Sequence, residues 1–338
     1  MIEAVRPRPL HLPPAGPGAF SWRYLDLVDD TGSGAVLIWG WALPFLHPDP
    51  TGSAVDLPTL NLAVYQAGQP TFYHLEQLDP RRVERVDGGW RFGDSVLQSE
   101  CIGSRWRVRA ELDLPIAGSK GRALGVFDLD GPAAFGHPAG EGHHRWSILS
   151  AAAQASLHLR APGLGELTLL GRGYHDENTS DGPLRELGIS EWAWGRVAEP
   201  DHERVHYLVE GAHPPVRLDV RVEPSGRLRF HELSRFDIAG RAGGRWGYAA
   251  PSRIQTDDTH LTVGPIVDES SFYLRFGLTS PTGRGWGERV RPEAIGSRWM
   301  QTLVQMCVTR PGGASPLLPW FSGARADRVE RTCAWWAR

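Results

Sequence analysis

Regular alternation of apolar and polar side chains is the feature of this sequence that most limits what it can fold into. Three stretches show it without a break, at residues 105–114, 216–223 and 271–278. Successive side chains of a strand point to opposite faces, so a period of two residues predicts half-buried antiparallel strands. In the third stretch the pattern places Phe276 on the apolar face and Arg275 on the polar face.

Further short segments have strand composition and are separated by turn signals such as Asp87-Gly88-Gly89. They are residues 35–41, 60–65, 71–78, 123–129, 155–160, 166–170, 205–210 and 228–233. Many short strands at regular spacing predict an all-β sandwich or barrel. Helical spacing of apolar residues occurs at 293–308, which predicts one helix near the C-terminus.

A faint internal repeat predicts two β-domains in tandem. Trp22-Arg-Tyr24-Leu-Asp26 and Trp192-Ala-Trp194-Gly-Arg196 each precede a turn and an apolar strand. The chain has 338 residues, enough for two separate cores. We therefore expect an extended segment at 1–19, an N-terminal domain at 20–181 and a C-terminal domain at 182–338.

Composition excludes several classes of function. The formal net charge is -3 and the basic residues are scattered among acids, so no nucleic-acid partner is expected. Three cysteines without CxxC spacing indicate neither a zinc site nor a disulfide framework. The proline-rich N-terminus lacks the apolar core of a signal peptide. The sequence contains no run of about 18 apolar residues, so no membrane-spanning helix is expected. A cytoplasmic location is expected.

Chemistry-bearing residues are densest in Gly171-Arg-Gly-Tyr174-His-Asp176-Glu-Asn178. In an extended segment, Tyr174, Asp176 and Asn178 share one face, while His175 and Glu177 share the other. A phenol and an amide beside a carboxyl group could hold it in one protonation state. Spacing alone favours a simpler interpretation, a strand end where Asp176 and Asn178 bond local backbone in a turn.

A second cluster is His143-His144-Arg-Trp146, after a Gly/Pro-rich loop. If extended, His144 and Trp146 face one way; the simpler interpretation is a loop entering a strand, with Trp146 in the core. His143, His144, His175, Asp176 and Glu177 are metal-ligand types, but their spacing matches no known site, so no metal is expected. No dinucleotide, phosphate-loop or nucleophile-elbow motif occurs.

These residues resemble the signature of the carotenoid 1,2-hydratase (hydroxyneurosporene synthase) family, a group of tandem lipocalin-like proteins. The signature is Gly-x-Gly-Tyr174-x-Asp176-x-Asn178, followed by Trp192-x-Trp194. Weaker likenesses extend from about residue 20 to 308 and include His144-Arg-Trp146 and Phe272-Tyr273. The resemblance implies two lipocalin-like antiparallel β-barrel domains in tandem.

The resemblance also implies the site. His144, Trp146, Tyr174 and Asp176 match the family's proposed catalytic groups. Asn178, Trp192, Trp194, Phe272 and Tyr273 are expected to bind substrate. The sequence departs from the family pattern at Glu177, at Ser180 and over residues 40–50, which bears on the identity of the substrate.

The implied activity is addition of water to a terminal C=C bond of an isoprenoid, with a carotenoid as the expected substrate. A carboxyl group in apolar surroundings keeps its proton and can deliver it to carbon, which fits Asp176. Tyr174 would hold it, Trp146 would stabilise the cation, and His144 would orient or deprotonate the water.

Two alternatives remain open from the sequence. One is an isoprenoid cyclase that uses the same acid without water, and the other is a non-catalytic lipophile-binding protein. The chemistry requires no metal or redox cofactor, so none is expected. The expected partner is a hydrophobic small molecule collected at a membrane surface, which implies peripheral contact with the inner face of the membrane. The sequence leaves the oligomeric state open.

Overall fold

The computed structural model describes residues 2–4, 11–44, 53–67, 69–116, 120–137, 144–211, 215–234, 236–239, 251–257, 259–269, 272–295 and 323–324. Within these residues the chain is almost entirely β-strand. Backbone hydrogen bonds join the strands into one sheet of 13 and one of 9.

The first sheet is formed mainly by the N-terminal half of the chain. Its strands are β1 (Ile2–Ala4), β2 (Phe20–Val28), β3 (Gly34–Trp41), β4 (Pro58–Gln66), β5 (Gln69–Gln77), β6 (Val83–Val86), β7 (Gly89–Phe92), β8 (Ser95–Ile102), β9 (Arg105–Pro115), β10 (Arg122–Pro132), β11 (His144–Ala161) and β12 (Gly165–Ser180). The order from β5 is β5-β4-β3-β2-β12-β11-β10-β9-β8-β7-β6, so β2 meets β12 in the middle.

The second sheet follows after a short connection. Its strands are β13 (Glu191–Ala198), β14 (Glu203–Glu210), β15 (Val216–Val222), β16 (Leu228–Glu232), β17 (Phe236–Ala239), β18 (Arg253–Thr256), β19 (His260–Glu269), β20 (Tyr273–Thr279) and β21 (Arg284–Val290). The order is β16-β15-β14-β13-β21-β20-β19-β18-β17. A short strand β22 (Gly323–Ala324) returns to the first sheet beside β5.

Helical structure among the described residues is short. One α-helix, α1, spans Pro292–Ile295. Single 3₁₀ turns occur at Ala54–Asp56, Pro80–Arg82 and Leu184–Leu187. The predicted helix at 293–308 therefore begins where expected, and residues 296–308 lie outside the described residues. None of the helices described is long and apolar enough to cross a membrane.

The predicted fold class is confirmed: the protein is all-β, with two curled antiparallel sheets in tandem and a helix near the C-terminus. Among the described strands, β1 pairs in parallel with β11 and the other pairs are antiparallel. Alternation predicts burial well in β9, where apolar side chains are buried and the charged ones between them are mostly exposed. The domain boundaries at 19/20 and 181/182 stay a prediction.

Strand β2 of the first sheet and strand β13 of the second sheet pack face to face. The ring centroids of Trp22 and Trp192 lie 5.9 Å apart, and those of Tyr24 and Trp194 lie 5.2 Å apart. Arg196 donates to Asp26 with an Nε–Oδ1 distance of 2.9 Å. Equivalent positions of the sequence repeat therefore contact one another.

Because the two sheets cover each other, strands at their contact are buried on both faces. All nine residues of β2 are buried. The prediction that alternation puts Arg275 on a polar, solvent-facing side is therefore wrong, since its side chain is 3% exposed and lies at this contact. Polarity on such a face indicates a buried network rather than solvent.

Candidate active site

Three neighbouring strands, β11, β12 and β2, build the face on which the predicted catalytic residues lie. Residues directly opposite in an antiparallel pair share a face. Asp176 of β12 is opposite Tyr24 of β2, and Asn178 is opposite Trp146 of β11. The strand ends at Ser180, as the simpler interpretation expected. Asp176 and Asn178, however, lie within β12 between paired strands and bond side chains, so their assignment to a turn is wrong.

The carboxyl group of Asp176 accepts hydrogen bonds from three neutral donors. Trp146 Nε1 and Tyr174 Oη donate to Oδ2 at 2.9 and 3.0 Å, and Asn178 Nδ2 donates to Oδ1 at 3.2 Å. The Asp176 side chain is buried, as are its three donors. No arginine, lysine or histidine forms an ion pair with Asp176 within the described part of the chain.

Burial, with smaller contributions from the carboxylates of Glu288 and Asp26, raises the pKa of Asp176 to about 8. The hydrogen bonds from Trp146 and Tyr174 act in the opposite direction and lower it. Asp176 is therefore mainly protonated at neutral pH. Since Oδ2 already accepts two hydrogen bonds, we place the acidic proton on Oδ1.

Asn178 links the acid to His144. Its Nδ2 donates to Asp176, so its Oδ1 must accept, and His144 Nε2 lies 3.3 Å from that oxygen. The neutral imidazole therefore carries its hydrogen on Nε2, which leaves the lone pair on Nδ1. Burial lowers the pKa of His144 to about 4, so this neutral form is the one present at pH 7.

Aromatic side chains from both sheets enclose the acid. Trp146 stacks on Tyr207 of β14, with centroids 4.3 Å apart and planes 9° apart. Trp192 packs 5.1 Å from the His144 ring, and Trp194 packs 5.3 Å from the Tyr174 ring. One face of the Trp146 indole is thus covered by Tyr207.

Close approach of the two sheets depends on glycine at one point near the site. A Cβ on Gly34 of β3 would lie 2.1 Å from the Leu27 carbonyl oxygen and 2.8 Å from the ring of Trp286 in β21, both closer than a Cβ atom approaches its neighbours. Trp286 is 1% exposed and packs edge-on to Tyr65 at 5.3 Å. Gly34 therefore lets an indole of the second sheet lie directly over the first.

A second buried cluster surrounds Arg275. Its guanidinium carbon lies 5.5 to 5.9 Å from the ring centroids of four aromatic side chains, Tyr24, Tyr65, Tyr273 and Trp286. Arg275 donates to Glu288 and, at 2.7 Å, to the hydroxyl of Tyr273. The structure thus places Tyr273 beside Arg275 rather than beside Asp176. Phe272 packs, partly buried, at the edge of the hydrophobic core.

The other face of β12 points away from the acid. His175 donates from Nδ1 to the Tyr24 carbonyl at 2.7 Å and lies 2.9 Å from Ser99 Oγ, while Glu177 accepts from Arg23 at 3.1 Å. His175 and Glu177 therefore cannot converge with Asp176 on one ion. His143 lies outside the described residues, within which no cluster of three or more metal-ligating side chains occurs.

Sequence reasoning gathered six residues that do lie together, His144, Trp146, Tyr174, Asp176, Asn178 and Trp192, with Trp194 beside them. It missed Tyr207, Asp26, Arg196 and Glu288. Arg196 is fully buried and pairs with Asp26 and Glu203, which joins the two sheets behind the acid. The repeat offered the only signal for the Asp26 and Arg196 pair.

The chain is similar along most of its length to proteins already known. It is 26% identical over 372 aligned residues to a protein of Chlorobaculum tepidum named hydroxyneurosporene dehydrogenase, covering 93% of this chain and 94% of that one. No family model matches the chain.

Solved structures share the fold at low sequence identity. The crystal structure of a Nitrosomonas europaea protein described as an AttH has a TM-score of 0.56 at 17% identity, covering 85% of this chain and 98% of that one. CghA, crystallised with Sch210972, has a TM-score of 0.53 at 10% identity, covering 86% and 96%. The similarity to a protein named for hydroxyneurosporene confirms the resemblance predicted from the central motif, and the solved structures share the tandem lipocalin-like fold.

Proposed function

We propose that this protein adds water to a terminal C=C bond of an isoprenoid, by protonation of carbon, formation of a tertiary cation and attack of water. The observation that carries the proposal is the buried carboxyl group of Asp176, whose pKa is raised to about 8. A protonated acid at neutral pH is the reagent that an unactivated alkene needs. The similar protein from Chlorobaculum tepidum is named for hydroxyneurosporene, which points to a carotenoid or related isoprenoid substrate.

The hydrogen bonds to Asp176 support the role of acid. All three protein partners donate, so none of them accepts the proton on Oδ1. When that proton leaves, the same three donors stabilise the carboxylate that forms. Stabilisation of charge that develops during the reaction lowers the barrier, whereas donors that bound only the neutral acid would not.

The surroundings support a cationic intermediate. The rings of Trp146, Trp192 and Trp194 lie near the acid, and such rings attract cations by about 0.5–2 kcal/mol each. His144 supplies an acceptor, since its Nδ1 lone pair is available to take a proton from water. Its pKa of about 4 keeps it neutral at the pH at which Asp176 is protonated.

The relative from Chlorobaculum tepidum is named as a dehydrogenase, and proteins of other names share the fold. The mass of the product distinguishes the possible reactions. Hydration adds one water to the substrate mass, cyclisation leaves the mass unchanged, and dehydrogenation removes two hydrogens. What supports hydration is that the residues around Asp176 provide a proton donor together with an acceptor for water.

The test is expression in a lycopene-producing host, with mass analysis of the pigments. We expect a hydrated product from the wild type. Asp176→Asn should reduce its formation by about 10²–10⁴-fold, the usual contribution of a general acid. Asp181→Asn is the matched control: this exposed carboxylate, five residues along the same segment, pairs with Arg145 and should leave activity unchanged. A folded Asp176→Asn variant that makes the hydrated product at the wild-type rate would refute the proposal.

A further inference from the structure

Tyr207 has a place in the site that the sequence did not reveal. It lies on β14 of the second sheet, is 1% exposed, and stacks on the Trp146 indole that donates to Asp176. The edge of Trp192 packs against it at 5.8 Å. Tyr207 therefore belongs to the second sheet but contacts Trp146 of the first sheet, the residue that donates to the acid.

The hydroxyl group of Tyr207 is buried and has no hydrogen-bond partner among the residues that the structure describes. The other tyrosines around the two clusters are paired: Tyr174 with Asp176, Tyr24 with Asp26, Tyr65 with Asp268, and Tyr273 with Arg275. An unpaired buried hydroxyl destabilises a fold, so native proteins rarely retain one without a function or a bound partner.

A second unpaired atom belongs to His144, whose ring packs on Trp192, the indole that also contacts Tyr207. His144 Nδ1 is buried and without a partner in the described chain, and the His144 ring packs on Trp192 at 5.1 Å. The two groups are complementary, because the tyrosine hydroxyl can donate and the imidazole nitrogen can only accept. Burial raises the pKa of Tyr207 well above its ordinary value, so the hydroxyl keeps its hydrogen.

We propose that the hydroxyl of Tyr207 binds the oxygen that is added to the substrate, first as water and then as the product alcohol. This inference rests on the proposed hydration. Tyr207 Oη donates a hydrogen bond to the water oxygen, and His144 Nδ1 accepts the proton that this water loses. The oxygen lone pair forms the new C–O bond to the cation. One proton goes from Asp176 to carbon and one from water to His144, so a return of the latter to Asp176 completes the cycle without net proton uptake.

Without Tyr207 Oη, the cation should still form but should lose a neighbouring proton before water adds. The test is Tyr207→Phe, which keeps the stack on Trp146 and removes only the oxygen. Reaction of the purified protein in D₂O reports both steps: deuterium on carbon records protonation, and the ratio of alcohol to deuterated alkene records addition of water. We expect that ratio to fall about tenfold or more, the effect of one hydrogen bond worth about 1.4 kcal/mol.

Tyr65→Phe is the matched control, because its hydroxyl is also buried but is paired with Asp268 at 2.9 Å. The control should keep the product ratio and lower the thermal midpoint. Tyr207→Phe should do the reverse, with a changed ratio and a midpoint equal to or above that of the wild type.

The outcomes separate the two hypotheses. If the wild type forms no alcohol, the hydratase function fails and this inference with it. If the wild type forms alcohol and Tyr207→Phe keeps its ratio, the role of Tyr207 is wrong while the function stands. Equal loss of deuterium incorporation and alcohol would also overturn the inference, because the hydroxyl would then act before water adds.

Discussion

The raised pKa of Asp176 predicts a stability change that can be measured without any substrate. The pKa is 3.8 in the absence of perturbation and about 8 in the folded protein. Between these values the unfolded chain loses its proton while the folded protein keeps it, so the free energy of unfolding falls as pH rises. From the unfolded pKa of 3.8 to pH 7 is about 3 pH units. At 1.36 kcal/mol per unit, the free energy of unfolding at pH 7 is therefore lowered by about 4 kcal/mol.

Asp176→Asn removes this cost because the amide does not ionise. The substitution also requires a rearrangement, because the new amide nitrogen would face Asn178 Nδ2 and both groups are donors. The Asn178 amide must then flip, and His144 must change tautomer to remain bonded to it. The rearrangement affects stability equally at all pH values above the pKa of His144. The pH-dependent part of the change therefore reports Asp176 itself.

Urea titration of wild type and variant at pH 7 and pH 4.5 is the assay. The free energy of unfolding of the variant, relative to the wild type, should be about 3 kcal/mol higher at pH 7 than at pH 4.5. At pH 4.5 the buried acid lowers the stability of the wild type by only about 1 kcal/mol. Asp128→Asn sets the baseline for an exposed carboxylate that pairs with Arg109. An Asp176→Asn effect that is the same at both pH values would refute the raised pKa and remove the basis for acid catalysis.

Three further outcomes are expected. Turnover should follow a bell-shaped pH profile with limbs near 4 and 8, because His144 must be neutral and Asp176 protonated; a rate that still rises above pH 9 would contradict this. Trp146→Phe removes a hydrogen bond that lowers the pKa of Asp176, so the alkaline limb should move upward, and an unmoved or lowered limb would count against the bond. Arg196→Met leaves two buried carboxylates without their cation and should cost about 3–5 kcal/mol in urea titration; an unchanged midpoint would show that the pair contributes nothing to stability.

Local pattern was sufficient for much of the fold. Period-two alternation identified strands such as β9 and β20 because one face of each packs on the core. It also put Tyr174, Asp176 and Asn178 on one face, where they bond to each other. These inferences succeed because they depend only on the geometry of a single strand.

Contacts between the sheets could not be predicted in the same way. Tyr207 reaches Trp146 across 61 positions of sequence, and nothing in the spacing of either strand records that distance. Arg275 was placed on a polar face because alternation does not distinguish solvent from a second sheet. Phe272 and Tyr273 were expected to bind substrate from the resemblance alone, and the spacing gave no sign that Tyr273 lies against Arg275.

The contact between the two copies of the repeat also relates the carboxyl group of Asp176 to a second one. β12 pairs with β2 as β21 pairs with β13, and in these registers Asp176 is opposite Tyr24 while Glu288 is opposite Trp194. Tyr24 and Trp194 are equivalent positions of the repeat, so Asp176 and Glu288 are equivalent too.

Two identical subunits related by a twofold axis would give both carboxyl groups the same neighbours. Joining the halves in one chain removes that requirement. Glu288 has an arginine beside it, whereas Asp176 has only neutral donors. The tandem architecture thereby permits two symmetry-related carboxyl groups with different neighbours, although burial raises the pKa of both.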